Sequence, residues 1–154
     1  MKPTTSTPSE PRTALVVGAG GGVGRSVVRR LSTRGFEVVG IGRNQASLEE
    51  TQGLHDRHLC DASSPDDLDE VIRSLVEDGD RPPLKTIINL AGCITLKPAH
   101  LIDEETWNQT IALKLTTAFS CVRSAGRHLK NGGSVVLVST VAASIGLANH
   151  EAIA

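Results

Sequence analysis

Tyrosine is absent from the 154 residues, and the other aromatics come to one tryptophan and two phenylalanines. No side chain of the sequence therefore offers a phenolic hydroxyl to donate or accept a proton. Long apolar runs are missing as well: none approaches the roughly 18 residues that cross a bilayer, so no membrane span is expected. Paired cysteines are missing too. Cys60, Cys93 and Cys121 stand far apart, with no CxxC step and no histidine at zinc spacing. They read as reduced, buried thiols of a cytoplasmic protein, and no metal site is expected. An excess of one charge is lacking, the net charge being -1, which argues against a surface built for nucleic acid. The opening residues, MKPTTSTPSEPR, lack the apolar stretch of a signal peptide and are rich in Pro, Thr and Ser. Residues 1–11 read as a flexible lead-in to one domain over 12–154.

What is present suits a globular chain: 39% of residues are hydrophobic and 21% charged, in a length that fits a single domain. Thr13–Val17 (TALVV) is a β-branched run stopped by glycines, after which Val23, Val27, Val28 and Leu31 recur at helical spacing as far as Arg34. FEVVGIG (36–42) predicts a second strand, with Asn44 capping a short polar helix through Glu50. A weaker third strand in RHLCDAS ends at Asp61. Ser64 and Pro65 then fit the N-cap and first position of a helix with Asp66 and Asp67 in its first turn, ended by Gly79. LKTIINLAG (84–92) predicts a fourth strand running into a turn. From Asp103 onward, Trp107, Ile111, Leu115, Phe119 and Val122 mark one face of a long helix, with Gly126 a candidate interruption. SVVLVS (134–139) predicts a fifth strand. Strands alternating with helices, several of them apolar on both faces, imply an α/β fold. The expected architecture is a Rossmann-like, doubly wound parallel sheet of about five strands in an α/β/α sandwich.

The first strand leads into a turn with glycines at 18, 20, 21, 22 and 24. Such a turn brings main-chain N–H groups against a pyrophosphate and lets the next helix pack closely on the strand, its N-terminus facing the anion. The glycines satisfy GxxxGxG (18, 22, 24), GxxGxxG (18, 21, 24) and GxGxxxG (18, 20, 24) at once, so the motif leaves the pattern open. An acidic residue about 20 residues further on would bind the ribose of NAD. Arg43 stands there instead, and a guanidinium suits the 2′-phosphate of NADP(H). NADP(H) is the expected cofactor, with NAD(H) second.

GAGGGVG (18–24), CDAS (60–63), NLAG (89–92) and GGSVVLVSTVAAS (132–144) follow one another in a familiar order and spacing. In them the chain resembles the short-chain dehydrogenases/reductases from about Ala14 to Ala154. The resemblance implies cofactor contacts by Gly18, Gly22, Val23 and Gly24 in the turn and by Asp61 at the adenine amino group, with Ala62 beside the ring. It further implies that Asn89, Ala91 and Gly92 line the adenosine side. Taken separately, Asp61 is equally a polar strand end and NLAG equally a turn. Hydride transfer between NADP(H) and a small carbonyl or secondary alcohol is the implied reaction. Trp107 and Phe119 lie on the helix where such proteins often pair subunits, so they fit a homo-oligomer contact or the core.

In that family a serine orients the substrate oxygen, a tyrosine carries the proton, a following lysine lowers its pKa, and an asparagine of the long helix supports a water relay. Thr140, preceded by Ser139, stands at the serine's place, and its hydroxyl can make the same hydrogen bond. Lys114 stands at the asparagine's place and Ile153 at the tyrosine's, while the lysine's place lies past Ala154. His150 and Glu151 beside it read as loop residues. The family's domain continues beyond this length, so the chain is read as incomplete at its C-terminal end, its fifth strand an exposed apolar edge. Two functions fit these residues. One is an oxidoreductase of this type; the other, for which Ile153 argues, is a nucleotide-binding module without chemistry.

Overall fold

Five strands form one sheet: β1 (Arg12–Val17), β2 (Phe36–Gly42), β3 (Asp56–Leu59), β4 (Leu84–Asn89) and β5 (Ser134–Leu137). The structure is a computed structural model and describes residues 10–154, so nearly all of the expected lead-in, 1–9, lies outside the described residues. The strand order is β3-β2-β1-β4-β5 and every pair is parallel. The chain moves outward from β1 to β3, then crosses back to β4, so the order reverses between β1 and β4. Such a reversal opens a crevice at the carboxyl ends of the strands. Those ends are level, because Val17 pairs with both Ile41 and Asn89.

Period-2 alternation divides the strand side chains between two cores. Leu15, Val17, Val39, Ile41 and Ile87 pack with Leu68 and Ile72 of α3 (Pro65–Glu77) and Cys121 of α5 (Thr117–His128). Val16, Val38 and Ile88 face the other way, against Val28 of α1 (Gly22–Ser32) and Leu48 of α2 (Gln45–Glu49). Helices thus cover both sheet faces, as the doubly apolar strands require. The remaining α-helices among the described residues are α4 (Glu104–Ile111) and the short α6 (Ala142–Ile145), with a single 3-10 turn at Ala99–Leu101. Among the described residues no helix is long and apolar enough to cross a membrane.

Helix starts follow local chemistry. Asn44, Ser64 and Asp103 each accept a hydrogen bond from a first-turn amide, at 2.9, 3.5 and 2.7 Å respectively. Three expectations need correction. β3 stops at Leu59 and not at Asp61, because its partner β2 ends at Gly42; the last ladder-like bond is Cys60 N–H to the Gly42 carbonyl, 3.1 Å. α3 ends at Glu77, before Gly79. Gly126 interrupts nothing, as α5 runs on to His128. The interruption of the long helix is instead a π-turn over Ala112–Thr116, between α4 and α5.

The expected apolar stripe of that helix faces outward, so Trp107 and Phe119 are not core. Trp107 is 46% exposed and Phe119 56%, with Leu115 and Val122 exposed beside them. The buried face is made of Thr110, Thr117, Ser120, Cys121 and Ser124. Small side chains allow close approach to the sheet, and the Thr110, Thr117 and Ser120 hydroxyls donate to carbonyls one turn back, at 2.8–2.9 Å. The fifth strand is an apolar edge as expected, with Val136 and Leu137 nearly half exposed.

Candidate nucleotide-binding site

Strand ends and the glycine turn build the site. The Gly18 and Ala19 amides donate to the Ile41 carbonyl (2.8 and 3.1 Å), stitching the turn to the end of β2. Leu90 N–H donates to the Val17 carbonyl (2.9 Å), which brings the loop after β4 alongside. Gly18 has φ +80°, and a Cβ there would lie 2.8 Å from Ala91 N. A Cβ on Gly24 would overlap the Gly18 carbonyl oxygen, and one on Gly20 would lie 2.8 Å from Ser47 Cβ. At Gly22 a Cβ would meet nothing within 4 Å. Protein packing therefore requires glycine at 18, 20 and 24 but not at 22.

α1 begins differently from its neighbours. Its N-cap is Gly21, without a capping side chain and without an acid in the first turn. The amides of Gly22, Val23 and Gly24 have no acceptor among the described residues. Unpaired amides and the positive end of an 11-residue helix form a setting for an anion at the switch point.

Arg43 follows directly on β2 and is exposed, with no hydrogen bond or ion pair among the described residues. Asp61 stands in the turn after β3, where its Oδ1 accepts from the Ser63 hydroxyl (2.7 Å) and amide (3.0 Å). The Ser63 hydroxyl, its amide and the Arg43 charge outweigh partial burial and hold the Asp61 carboxyl below its ordinary value. Asp61 is thus an anion at neutral pH. Ala62 beside it is buried.

Asn89, at the end of β4, is 5% exposed and uses both ends of its amide. Its Oδ1 accepts from Ala91 N–H (3.1 Å), and its Nδ2 donates to Thr117 Oγ1 (3.1 Å). The turn that carries Ala91 and Gly92 is thereby fixed to both the strand and α5.

Two adjoining clefts result. The first, about 180 Å³, is bordered by Gly18, Arg43, Asp61, Ala62, Ala91 and Gly92. Cys60, Leu113 and Thr117 also border it and were not singled out in the sequence. Thr117 carries no local signal, because only packing brings it to Asn89. Burial and the nearby Asp67 and Asp61 charges push the Cys60 thiol up to about 11, so it stays protonated. The second cleft, about 390 Å³, shares Leu90, Ala91 and Gly92 with the first and is walled by Val23, Lys114 and Val138.

Ser139 and Thr140 border neither cleft, although Val138 next to them does. Thr140 Oγ1 accepts from Ala142 N–H (3.2 Å). Ile153 is half-buried in the C-terminal turn, its amide donating to the His150 carbonyl (3.0 Å).

A parallel sheet with a switch point, a glycine turn and an uncapped helix at the strand ends defines the Rossmann class of dinucleotide-binding folds. A family model described as short chain dehydrogenase matches residues 12–152, and the chain belongs to that family. Relatives include a 3β-hydroxysteroid dehydrogenase of Mediterraneibacter gnavus, 31% identical over 147 residues, covering 90% of this chain and 52% of that protein. A 2-dehydro-3-deoxy-D-gluconate 5-dehydrogenase of Bacillus subtilis is 29% identical over 139 residues, covering 84% of this chain and 53% of that protein. The chain spans about half the length of the curated relatives it matches. Among solved structures, a short-chain dehydrogenase from Mycobacterium smegmatis superposes with a TM-score of 0.83 at 25% identity, covering 93% of this chain and 63% of that one. An NAD+-bound xylitol dehydrogenase also scores 0.83, at 24% identity, covering 92% of this chain and 58% of that one, and shares the fold.

Proposed function

We propose that the chain carries the dinucleotide site of a cytoplasmic oxidoreductase that moves hydride between NADP(H) and a small carbonyl or secondary alcohol. The observation that carries this reading is the uncapped start of α1, whose free amides stand at the switch point beside the Gly18 turn. The turn with Gly18, Gly22, Val23 and Gly24 holds the pyrophosphate, and the open space at Gly22 leaves room for it. Arg43 pairs with the 2′-phosphate, since its guanidinium makes no hydrogen bond or ion pair among the described residues. Asp61 accepts from the adenine amino group with its remaining oxygen, and Ala62 packs beside the ring. Asn89 holds Ala91 and Gly92 against the bound molecule.

When bound, the nicotinamide supplies the hydride. Thr140 and Ser139 border neither cleft themselves but follow Val138, which does; the Thr140 oxygen accepts from Ala142, and its hydroxyl proton is left to donate to a substrate oxygen. The relatives named above are dehydrogenases, which favours this reading over a module without chemistry. The three free thiols suit a reducing compartment.

Titration of the chain with NADPH and NADH, followed by cofactor fluorescence, tests the reading. NADPH is expected to bind more tightly, and Arg43→Ala to weaken NADPH about tenfold while leaving NADH nearly unchanged. Equal affinities that Arg43→Ala leaves unaltered would remove the NADP(H) assignment, and binding of neither would remove the site.

A further inference from the structure

The loop after β4 borders both clefts, yet little holds it. Leu90 is the last residue tied to a neighbouring strand, its amide donating to the Val17 carbonyl. From Ala91 to Lys97 no main-chain group makes a backbone–backbone hydrogen bond among the described residues. The main-chain anchor of that stretch is the Ala91 amide, which donates to Asn89 Oδ1 (3.1 Å).

That anchor leads to Thr117. A backbone amide can only donate, so Asn89 must turn its oxygen to Ala91 and its Nδ2 must find an acceptor elsewhere. Asn89 is buried, and Nδ2 donates to Thr117 Oγ1 (3.1 Å), in a side chain that is 1% exposed. The Thr117 hydroxyl proton goes to the Leu113 carbonyl (2.9 Å), which leaves its lone pairs to Asn89. A directed relay thus runs from the Ala91 amide through Asn89 and Thr117 to α5.

The helix backbone takes part in it. In a regular α-helix the Thr117 amide would donate to Leu113, four residues back. It donates instead to Ala112, five back, and the Thr117 hydroxyl takes the Leu113 carbonyl in its place. No glycine or proline lies in Ala112–Thr116 to account for the wide turn. Single wide turns of this kind recur at functional sites.

We propose that Thr117 is a positioning residue of the cofactor site: its hydroxyl, held by the π-turn, sets the Asn89 amide and through it the Ala91–Gly92 wall against which the dinucleotide lies. The proposal rests on the first cleft being the dinucleotide site. Without that hydroxyl a buried amide hydrogen loses its acceptor, a cost large enough to turn Asn89 away from Ala91.

Amide hydrogen exchange followed by NMR, together with NADPH titration, tests it. In the unaltered chain the Ala91 amide is expected to be protected about tenfold more than the Gly92 amide, and equal protection overturns the relay before any variant is made. Thr117→Val keeps the shape and removes the hydroxyl; it should abolish the Ala91 protection and weaken NADPH about tenfold. Thr117→Ser restores the hydroxyl and should recover both. Ile72→Val, on α3 in the core, lowers the thermal midpoint away from the loop and should change neither. NADPH affinity that Thr117→Val leaves unaltered, that Thr117→Ser does not recover, or that Ile72→Val lowers equally overturns the proposal. Affinity that falls while Ala91 stays protected overturns it too, by making Thr117 a direct contact. If the unaltered chain binds no NADPH, it is the dinucleotide reading that fails, and Ala91 exchange in the two Thr117 variants then decides by itself whether the hydroxyl sets the loop.

Discussion

At Gly24 one added methyl group would overlap the Gly18 carbonyl oxygen, whereas at Gly22 it would meet open space. The two glycines therefore separate folding from binding. Gly24→Ala is expected to cost about 1–3 kcal/mol of stability through forced backbone shifts. Gly22→Ala should leave stability equal or raise it by up to about 1 kcal/mol, since alanine is the better helix former. It should nonetheless weaken NADPH, because the new Cβ occupies space next to the free first-turn amides. Chemical unfolding and NADPH titration on both variants check this; a Gly22→Ala chain with undiminished NADPH affinity would move the anion elsewhere. The sequence announces a glycine-rich turn but not this division, because all three glycine spacings fit it. Asn89 is similar: its place in NLAG is legible, while its bond to Thr117, 28 residues on, is a product of packing.

Helix α3 docks on α5 through a polar contact at the level of whole elements. Asp69 accepts from the Ser124 hydroxyl (2.7 Å) and faces His128 (3.3 Å) and Arg127 (3.4 Å), while Arg123 pairs with Asp66 (2.8 Å). Burial pushes the Asp69 carboxyl up, but Ser124, His128 and Arg127 together outweigh it and hold the group below its ordinary value. A depressed carboxyl stabilises the fold when ionised. That contribution is complete above about pH 4 and is lost as the pH falls through the lowered native value. Asp69→Asn should therefore be about 1–3 kcal/mol less stable than the parent at pH 7, with the difference shrinking below about pH 4. Urea unfolding at several pH values measures it; a difference constant with pH would sink the assignment. Strands and caps were legible because each depends on neighbours in sequence: β2 covers the expected residues, and Asn44, Ser64 and Asp103 begin their helices. The long helix misled because its apolar stripe is real but does not face the sheet. Its inner face is small and hydroxylated, with Thr110, Thr117 and Ser120 satisfied by the helix's own carbonyls and Ser124 by Asp69.

At the scale of the whole sheet, the strand order among the described residues leaves β5 with one side unpaired and its exposed Val136 and Leu137 near solvent. Unpaired apolar edges template pairing with another strand. The 154-residue chain is expected to associate with rising concentration, and Val136→Lys should shift it towards monomer in sedimentation velocity. Monomeric behaviour of the unaltered chain at every concentration would argue that the twist of this short strand is protection enough.

The amino-acid sequence by itself determined the strand and helix periods, the glycine turn, the caps and Arg43 after β2, because each is written within a few neighbouring residues. Only the tertiary structure decided which face of α4 and α5 is buried and that Asn89 meets Thr117. It also decided that Lys114 lies over Gly92, beside the second cleft. Those outcomes depend on which distant surfaces pack together, and a local pattern carries no record of the partner.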